Sequence, residues 1–164
     1  MLFDELSYPG DSIKQEYKED ILVGYRWHDT KKVPALFPFG HGLSYTTFTY
    51  GKPVASAKAM AADGTLTVTV AVKNTGSIAG KEIVQLYVGD DKCSVLRPVK
   101  ELKHFAKVAL APGQEKSVTF TLTPDDLKFY DEASAAWKYE PGKFKAYVCA
   151  SSADVRGVVS FEMQ

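Results

Sequence analysis

Residues 65–76 read TLTVTVAVKNTG, and the alternation of apolar and polar side chains in this stretch decides the fold class. Every second residue from Leu66 to Val72 is large and apolar, and the residues between them are threonine or alanine. A period of two residues is typical of a β-strand that buries one face. The run Asn74-Thr75-Gly76 that follows favours a turn, so we expect the strand to end there.

Later stretches repeat the two-residue period, at 81–91, 116–123, 143–151 and 155–163. The first of these is apolar on both faces, so we expect a strand that is central or covered on both sides. Strands at this spacing, without an amphipathic helix between them, predict an all-β fold, an antiparallel β-sandwich. A single turn of helix is predicted at 123–127, where Pro124 follows the capping residue Thr123.

The inward faces of these strands supply the predicted hydrophobic core between the two sheets. The residues expected there are Leu66, Val68, Val70, Val84, Leu86, Val88, Val118, Phe120, Leu122, Phe144, Val148 and Phe161. In the last strand the predicted inward face also includes Val155 and Val159. A core of this extent fits a chain of 164 residues, which is long enough for one domain and an appendage.

The N-terminal 45 residues lack the strand pattern, and we interpret residues 1–45 as an appendage to a domain that occupies 46–164. Residues 21–25, ILVGY, resemble a short strand, although no hairpin partner is evident. Prolines and glycines are frequent between 28 and 45, which predicts an irregular, extended chain. The first twenty residues, without an evident partner in the domain, are expected to be mobile or to be held only by contacts between molecules.

Composition excludes several classes of function. Twenty basic residues balance twenty acidic ones, so the chain has no electrostatic footprint for nucleic acid or anionic lipid. It contains no run of about eighteen apolar residues, which argues against a membrane span. The three histidines are scattered and the two cysteines form no CxxC pair, so neither a metal site nor a cofactor is predicted. A disulfide between Cys93 and Cys149 stays open, because spacing in sequence cannot establish the required Cα separation.

A catalytic site is not predicted. A catalytic carboxylate pair needs two groups that face each other across a cleft. The doublets Glu19-Asp20, Asp90-Asp91 and Asp125-Asp126 stand at the ends of elements, and neighbours on a strand point to opposite faces. Cys149 has no histidine predicted beside it, so a nucleophilic site is not favoured either. The chain is therefore expected not to be an enzyme by itself.

Four motifs in order carry a resemblance to a known family. They are PALFPFGHGLSYTTFTY at 34–50, AGKEIVQLYVGD at 79–90, RPVKELKHFAKVALAPGQEKSVTFTLTPDDLKFYDE at 97–132 and EPGKFKAYVCASSADVR at 140–156. They closely resemble the C-terminal end of family 3 glycoside hydrolases of the β-glucosidase and β-xylosidase type. The resemblance implies an immunoglobulin/fibronectin type III-like sandwich that follows the end of an α/β sandwich domain and a linker. It also implies that the nucleophile and the acid/base residue lie in other domains, and that the parent enzyme is periplasmic or secreted.

The resemblance makes LFPFGHGLSYTTFTY, at 36–50, an interdomain seam. The residues expected at this interface are Leu36, Phe37, Phe39, His41, Leu43, Tyr45 and Phe48. Their expected partner is the catalytic part of the parent glycosidase. In its absence the stretch is expected either to fold onto its own sandwich or to be buried against a second copy of this chain, and we favour the homodimer. A further set, expected to approach the edge of the active-site region in the intact enzyme, is Tyr25, Arg26, Trp27 and His28.

The function implied is that of a non-catalytic accessory domain, which stabilises a glycosidase that removes terminal β-linked glucose or xylose. The alternative is an independent carbohydrate-binding or adhesive module. Such a module needs a row of exposed aromatic rings on which sugars can stack. The outward faces of the predicted strands offer mostly threonine and lysine, with Tyr87 and Tyr147 isolated, which favours the accessory domain.

Overall fold

The computed structural model of the protein describes residues 10, 11 and 13–164, and its regular structure consists mainly of strands. The elements in chain order are helix α1 (Tyr25–Lys31), strands β1 (Phe48–Tyr50), β2 (Val54–Ala55), β3 (Ala59–Met60), β4 (Leu66–Asn74), β5 (Gly80–Asp90), β6 (Glu101–Leu110) and β7 (Glu115–Leu122), a 3-10 turn (Pro124–Leu127), and strands β8 (Phe129–Asp131), β9 (Ala136–Lys138), β10 (Gly142–Cys149) and β11 (Val155–Met163). The mobility expected for the first twenty residues concerns in part residues 1–9 and 12, which lie outside the described residues. Within the described part, no helix has the length and apolar character that a membrane span requires.

Two mainly antiparallel sheets form the body of the fold. In the first sheet, β4 is flanked by β7 on one side and by the short strands β1 and β2 on the other. In the second sheet the order is β3-β11-β10-β5-β6, and the two-residue pairing of β3 with β11 is parallel. Strands β8 and β9 pair with each other as a separate ribbon. The all-β, fibronectin type III-like fold predicted from the sequence is confirmed.

The hydrophobic core contains every side chain in the predicted set from Leu66 to Phe161, each at most 6 % exposed. The register of the first sheet shows why the alternation of apolar and polar residues predicts the core correctly. Val68 of β4 lies opposite Phe120 of β7, so both point inward together. On the other face the Thr69 and Thr119 hydroxyls lie 2.8 Å apart. The core also contains buried residues at strand ends that the sequence did not single out, among them Met60, Leu110 and Met163.

Val155 was assigned to the wrong face, since 44 % of the residue is exposed. The pairing of β10 with β11 shifts between Val148 and Cys149, so that Val155 lies opposite Cys149. A bulge of this kind interrupts the two-residue period, and a residue beyond it no longer points in the same direction as the residues before it. Val159, on the regular side of the bulge, packs against the core as predicted.

Strand β5 is central, as predicted, with β10 on one side and β6 on the other. Its outer face is covered over only part of its length. Tyr87 is fully buried, whereas Ile83 on the same face is 40 % exposed. The cover comes from α1, whose Tyr25 ring lies 5.6 Å from the Tyr87 ring in an edge-to-face contact.

The strand β6 was not predicted from the sequence. Phe105, its largest apolar residue, is 68 % exposed and points away from the core. The residues on either side of it are only partly buried. A strand with a hydrophobic residue on its solvent face lacks the clean alternation on which the sequence-based prediction depended.

The segment before the sandwich also differs from its prediction. Residues 21–25 do not form a strand, because the chain turns at Gly24, which has φ 60°, and enters α1 at Tyr25. The irregular chain predicted for 28–45 begins only after α1 ends at Lys31. The predicted single turn at 123–127 is confirmed, and the N–H of Thr123 donates to the Asp126 carboxylate at 2.8 Å.

Truncation of Phe120 tests the assignment of the core. Phe120→Ala leaves a cavity between the sheets and should lower the free energy of unfolding by about 3–5 kcal/mol. Phe105→Ala is the matched control, since that ring faces solvent, and should change it by less than about 0.5 kcal/mol. Urea unfolding followed by circular dichroism measures both. Equal losses in the two variants would mean that the inner and outer faces are reversed.

Candidate functional site

The candidate site is the exposed apolar part of the predicted interdomain seam, residues 36–45, and from here on we keep the name seam for these residues. Most of its large side chains point away from the sandwich. Their exposures are 90 % for Leu36, 71 % for Phe37, 51 % for Phe39, 95 % for Leu43 and 97 % for Tyr45. His41 is also exposed, and its ring lies 5.8 Å from that of Phe37. The predicted seven therefore separate into six exposed residues and Phe48, which begins β1 and packs against the core.

The backbone of the seam is held in place although its side chains are exposed. The carbonyl of Phe39 accepts a hydrogen bond from the Ser152 N–H at 2.8 Å, which ties the seam to the turn between β10 and β11. The ring of Phe39 packs 5.2 Å from that of Tyr25. Two different elements therefore fix the position of the seam relative to the sandwich.

Gly40 allows the closest approach between the seam and the sheet. A Cβ at this position would lie 2.2 Å from Nε2 of Gln85, and the glycine has φ +79°, which residues with side chains adopt at a cost. Gln85 is buried and cannot move aside easily. Its Nε2 donates to the Ala150 carbonyl at 3.1 Å, and its Oε1 accepts from the Tyr87 hydroxyl at 2.5 Å.

Helix α1 is clamped to the outer face of the second sheet. The N–H of Leu102 donates to the Tyr25 hydroxyl at 2.9 Å. Lys100 and Asp29 form an ion pair at 2.5 Å, and their side chains are only 9 % and 13 % exposed. Loss of one partner of a buried ion pair leaves the other charge buried without compensation, which strongly destabilises the folded protein. The helix is therefore packed against the sandwich as part of the same folded unit.

The four residues expected near an active site lie on α1 and make contacts within this chain. Tyr25 contacts Leu102, Tyr87 and Phe39 as described, and Arg26 pairs with Glu101 at 3.4 Å. Trp27 lies under the Lys31 ammonium group, 5.3 Å from it, and His28 Nδ1 is 3.0 Å from the Val33 carbonyl. The hydroxyl of Tyr25 and the guanidinium of Arg26 are engaged by the sandwich. The proximity of this set to a substrate stays a prediction.

Two of the three carboxylate doublets, Asp90-Asp91 and Asp125-Asp126, are engaged in local contacts, while Glu19-Asp20 stands in the turn before α1 with Asp20 exposed. Asp91 pairs with Lys145 at 2.7 Å, and Asp125 pairs with Lys128 at 2.6 Å. Asp126 lies 3.2 Å from Nε2 of His104 and caps the 3-10 turn. These contacts account for the acids as surface pairs and caps, which is the interpretation that the sequence favoured.

Asp90, Cys93 and Glu140 bring three potential metal ligands within 4.8 Å of one another. Their own partners account for the cluster. Glu140 accepts bonds from the N–H and the hydroxyl of Ser94, which lower the pKa of its carboxyl, and Asp90 Oδ2 lies 3.6 Å from the Arg97 guanidinium. Burial raises the pKa of the Cys93 thiol, which makes loss of its proton, and therefore metal binding, less favourable. The positive charge of Arg97 also disfavours a cation.

The comparisons with known proteins agree with the fold. The family model of the fibronectin type III-like domain matches residues 82–152. The beta-glucosidase BoGH3A of Bacteroides ovatus is 67 % identical over 98 % of this chain and 21 % of its own length. The thermostable beta-glucosidase B of Acetivibrio thermocellus is 50 % identical over 92 % of this chain and 20 % of its own length.

Solved structures show the same relationship. The beta-glucosidase DesR from Streptomyces venezuelae, crystallised in complex with D-glucose, superimposes with a TM-score of 0.89 at 42 % identity. That match covers 98 % of this chain and 20 % of DesR. The chain thus spans about a fifth of the length of the relatives it matches. The matched part is the fibronectin type III-like part and not the catalytic domains, so the prediction that this chain is not an enzyme by itself is confirmed.

Both cysteines are free, which resolves the disulfide question, and their environments predict different reactivity. Burial raises the pKa of the Cys149 thiol to about 12, and the residue is fully buried. Only about one Cys149 thiol in ten thousand would then be ionised at pH 8. In the native protein at pH 8, iodoacetamide should alkylate the partly exposed Cys93 slowly, because burial also raises the pKa of its thiol, and should leave Cys149 unmodified until urea is added. Peptide mass spectrometry measures both sites, and equal labelling without urea would contradict the buried position of Cys149.

Gly40→Ala tests the packing of the seam against Gln85. The added methyl group and the positive φ should together lower the free energy of unfolding by about 1–3 kcal/mol. Gly42→Ala is the matched control, because a Cβ at Gly42 meets nothing within 4 Å. That variant should stay within about 0.5 kcal/mol of the parent chain in the same urea titration. If both variants unfold like the parent, the close contact with Gln85 does not hold the seam.

Proposed function

The chain belongs to the fibronectin type III-like domains of family 3 β-glucosidases, and from that membership we propose that it packs against and stabilises the catalytic part of such an enzyme. The interface in this proposal is the seam. The relatives named above are β-glucosidases, which supports terminal β-linked glucose over xylose as the substrate of the parent enzyme. The role of this chain in that enzyme is accessory and non-catalytic.

The observation that supports the proposal is an exposed apolar surface on a fixed backbone. Leu36, Leu43 and Tyr45 are each at least 90 % exposed, while Phe39 between them is tied to Ser152 through its carbonyl. Contiguous apolar patches of more than a few hundred Å² rarely stay uncovered on a monomer. Each large apolar side chain gains about 1.5–3 kcal/mol from complete burial. Burial of the seam by a partner would therefore stabilise the complex of the two substantially.

The same contacts support the division of the chain that we propose. We retain residues 1–45 as the part that leads from the catalytic domains and 46–164 as the sandwich. The seam ends at Tyr45, and Phe48 opens the first strand. The clamping of α1 to β5 and β6 supports a modified view of the appendage, in which the helix travels with the sandwich.

The rival proposal, an independent carbohydrate-binding module, loses one of its two candidate residues. Tyr87 is fully buried beneath α1 and cannot meet a sugar. Tyr147 lies opposite Tyr87 on the neighbouring strand and is only partly exposed. The remaining alternative partner for the seam is a second copy of this chain. It would apply when the domain is separated from the catalytic part.

Phe37→Ala tests the proposal, with Phe105→Ala as the matched control. The two rings have similar exposure, 71 % and 68 %, but Phe37 lies in the seam and Phe105 on the outer face of β6. In the 164-residue chain alone, neither change should alter the unfolding free energy by more than about 0.5 kcal/mol. In the complete enzyme, loss of a buried ring should lower the melting temperature for Phe37→Ala alone, by a few degrees. Differential scanning calorimetry measures the four cases.

The outcomes separate the partners. If Phe37→Ala and Phe105→Ala leave the complete enzyme equally stable, the seam is not an interface with the catalytic part. Sedimentation velocity of the 164-residue chain across a concentration series then tests the homodimer. Association that Phe37→Ala weakens and Phe105→Ala does not would assign the seam to a second copy.

A further inference from the structure

A second apolar surface lies on the other flank of α1, away from the seam. It is a cleft of about 870 Å³ between the β8–β9 ribbon, residues 95–98 and the chain that enters α1. We call it the ribbon cleft. Its large side chains are partly exposed: Ile21 44 %, Val95 40 %, Leu96 53 %, Tyr130 49 % and Trp137 66 %. Charged residues share the lining with them, and these are Asp20, Arg26, Arg97, Glu101, Lys128, Asp131 and Glu132.

The ribbon presents two aromatic rings from a fixed base. Tyr130 of β8 lies directly opposite Trp137 of β9, and the ring centroids are 5.7 Å apart with the planes at 71°. Phe129, the neighbour of Tyr130, points the other way and is buried. The Arg97 guanidinium covers the Phe129 ring at 5.6 Å and donates to the Leu127 carbonyl at 3.0 Å. The ribbon is therefore anchored, and its outer face holds the two exposed rings.

The chemistry of the ribbon cleft favours a protein over a sugar. Two rings at 71° cannot form a flat platform, so a single ring at most could stack on a pyranose face. The aliphatic groups of Ile21, Val95 and Leu96 offer no hydrogen bonds to hydroxyl groups. Most of the charged groups in the lining already have partners: Arg26 and Arg97 pair with Glu101, Lys128 pairs with Asp125, and Asp131 pairs with Lys138. Trp, Tyr and Arg together with aliphatic neighbours are instead the composition of the energetically important centre of a protein interface.

We propose that the ribbon cleft is a second docking surface for the catalytic part of the same polypeptide, a proposal that rests on the proposed function. The chain supplies the reason for this choice of partner. Asp20 and Ile21, which stand shortly before α1 in the chain, line the cleft, so the cleft lies beside the segment through which the catalytic part would be joined. The relatives are about five times as long as the part matched here. A neighbouring domain that is covalently joined near the cleft has a high effective concentration there, whereas a free partner does not.

The two surfaces flank one helix. Tyr25, His28 and Asp29 border the space beside residues 33–39, and Arg26 borders the ribbon cleft. A partner that occupied both surfaces would hold α1 between them. Contacts on both sides of α1 would fix the orientation of the sandwich relative to the catalytic part, which a single contact would not do.

Hydrogen exchange tests the proposal in the complete enzyme. The β8–β9 ribbon has three residue pairs, so its amides should exchange rapidly in the 164-residue chain. If the catalytic part covers the ribbon, amides of 129–138 should exchange about tenfold more slowly in the complete enzyme. Trp137→Ala should remove that protection, and Phe105→Ala, with a ring of similar exposure outside the cleft, should retain it. Peptides of 36–48 in the same experiment report on the seam.

The outcomes distinguish the two proposals. Protection at 36–48 without protection at 129–138 would overturn the ribbon cleft and leave the proposed function standing, and the reverse pattern would overturn the seam. Protection of 129–138 in the 164-residue chain on addition of cellotetraose or laminaritetraose would overturn the proposal in favour of a sugar site. Protection that rises with the concentration of the 164-residue chain alone would overturn it in favour of a second copy.

Discussion

Burial of the outer face of β5 beneath the N-terminal segment is the interaction on which both candidate surfaces depend. This face carries Gln85 and Tyr87, whose polar groups are satisfied in a short chain of hydrogen bonds that ends at the Ala150 carbonyl. A buried polar group costs stability unless it is paired, and here each pairing also shapes the surface on which the seam rests. The ion pair between Asp29 of α1 and Lys100 holds the helix over this face. Removal of the cover would expose the Tyr87 ring and leave Lys100 without its partner.

The same interaction explains why the seam can be rigid and exposed at once. Its backbone is fixed by Ser152 and by the close approach of Gly40 to Gln85, while its side chains make few contacts with the sandwich. A surface that is already ordered loses little conformational freedom when a partner covers it, so more of the energy of burial contributes to association. The cost of ordering is met during folding of the sandwich. The seam is therefore suited to a partner that is always present, as another part of the same polypeptide would be.

The sequence predicted those features that depend on local periodicity. Strands β4 and β7 and the inward residues from Leu66 to Phe161 follow from the two-residue period, and the turn at Thr123 follows from a local cap. The period fails where a bulge intervenes, as at Val155, and where a strand carries an apolar residue outward, as β6 does at Phe105. Helix α1 was missed for another reason. It has seven residues, too few for stable helix formation alone, and its stability comes from contacts with residues about 70 positions away, such as that of Asp29 with Lys100. The ribbon cleft was missed because Ile21 and Trp137, which are far apart in the sequence, line the same cleft only after the chain has folded.

The edges of the second sheet add a constraint on how any partner can bind. One edge is β3, which has two residues, and the other is β6, which carries Lys103 and Lys107. Short or charged edge strands oppose the addition of a strand from another molecule. Association through backbone pairing at the edges of this sheet is therefore disfavoured. A single apolar patch would let a partner rotate about the contact, whereas two patches on either side of one helix define an orientation. That geometry is what an accessory domain needs if it is to hold its neighbour in one position.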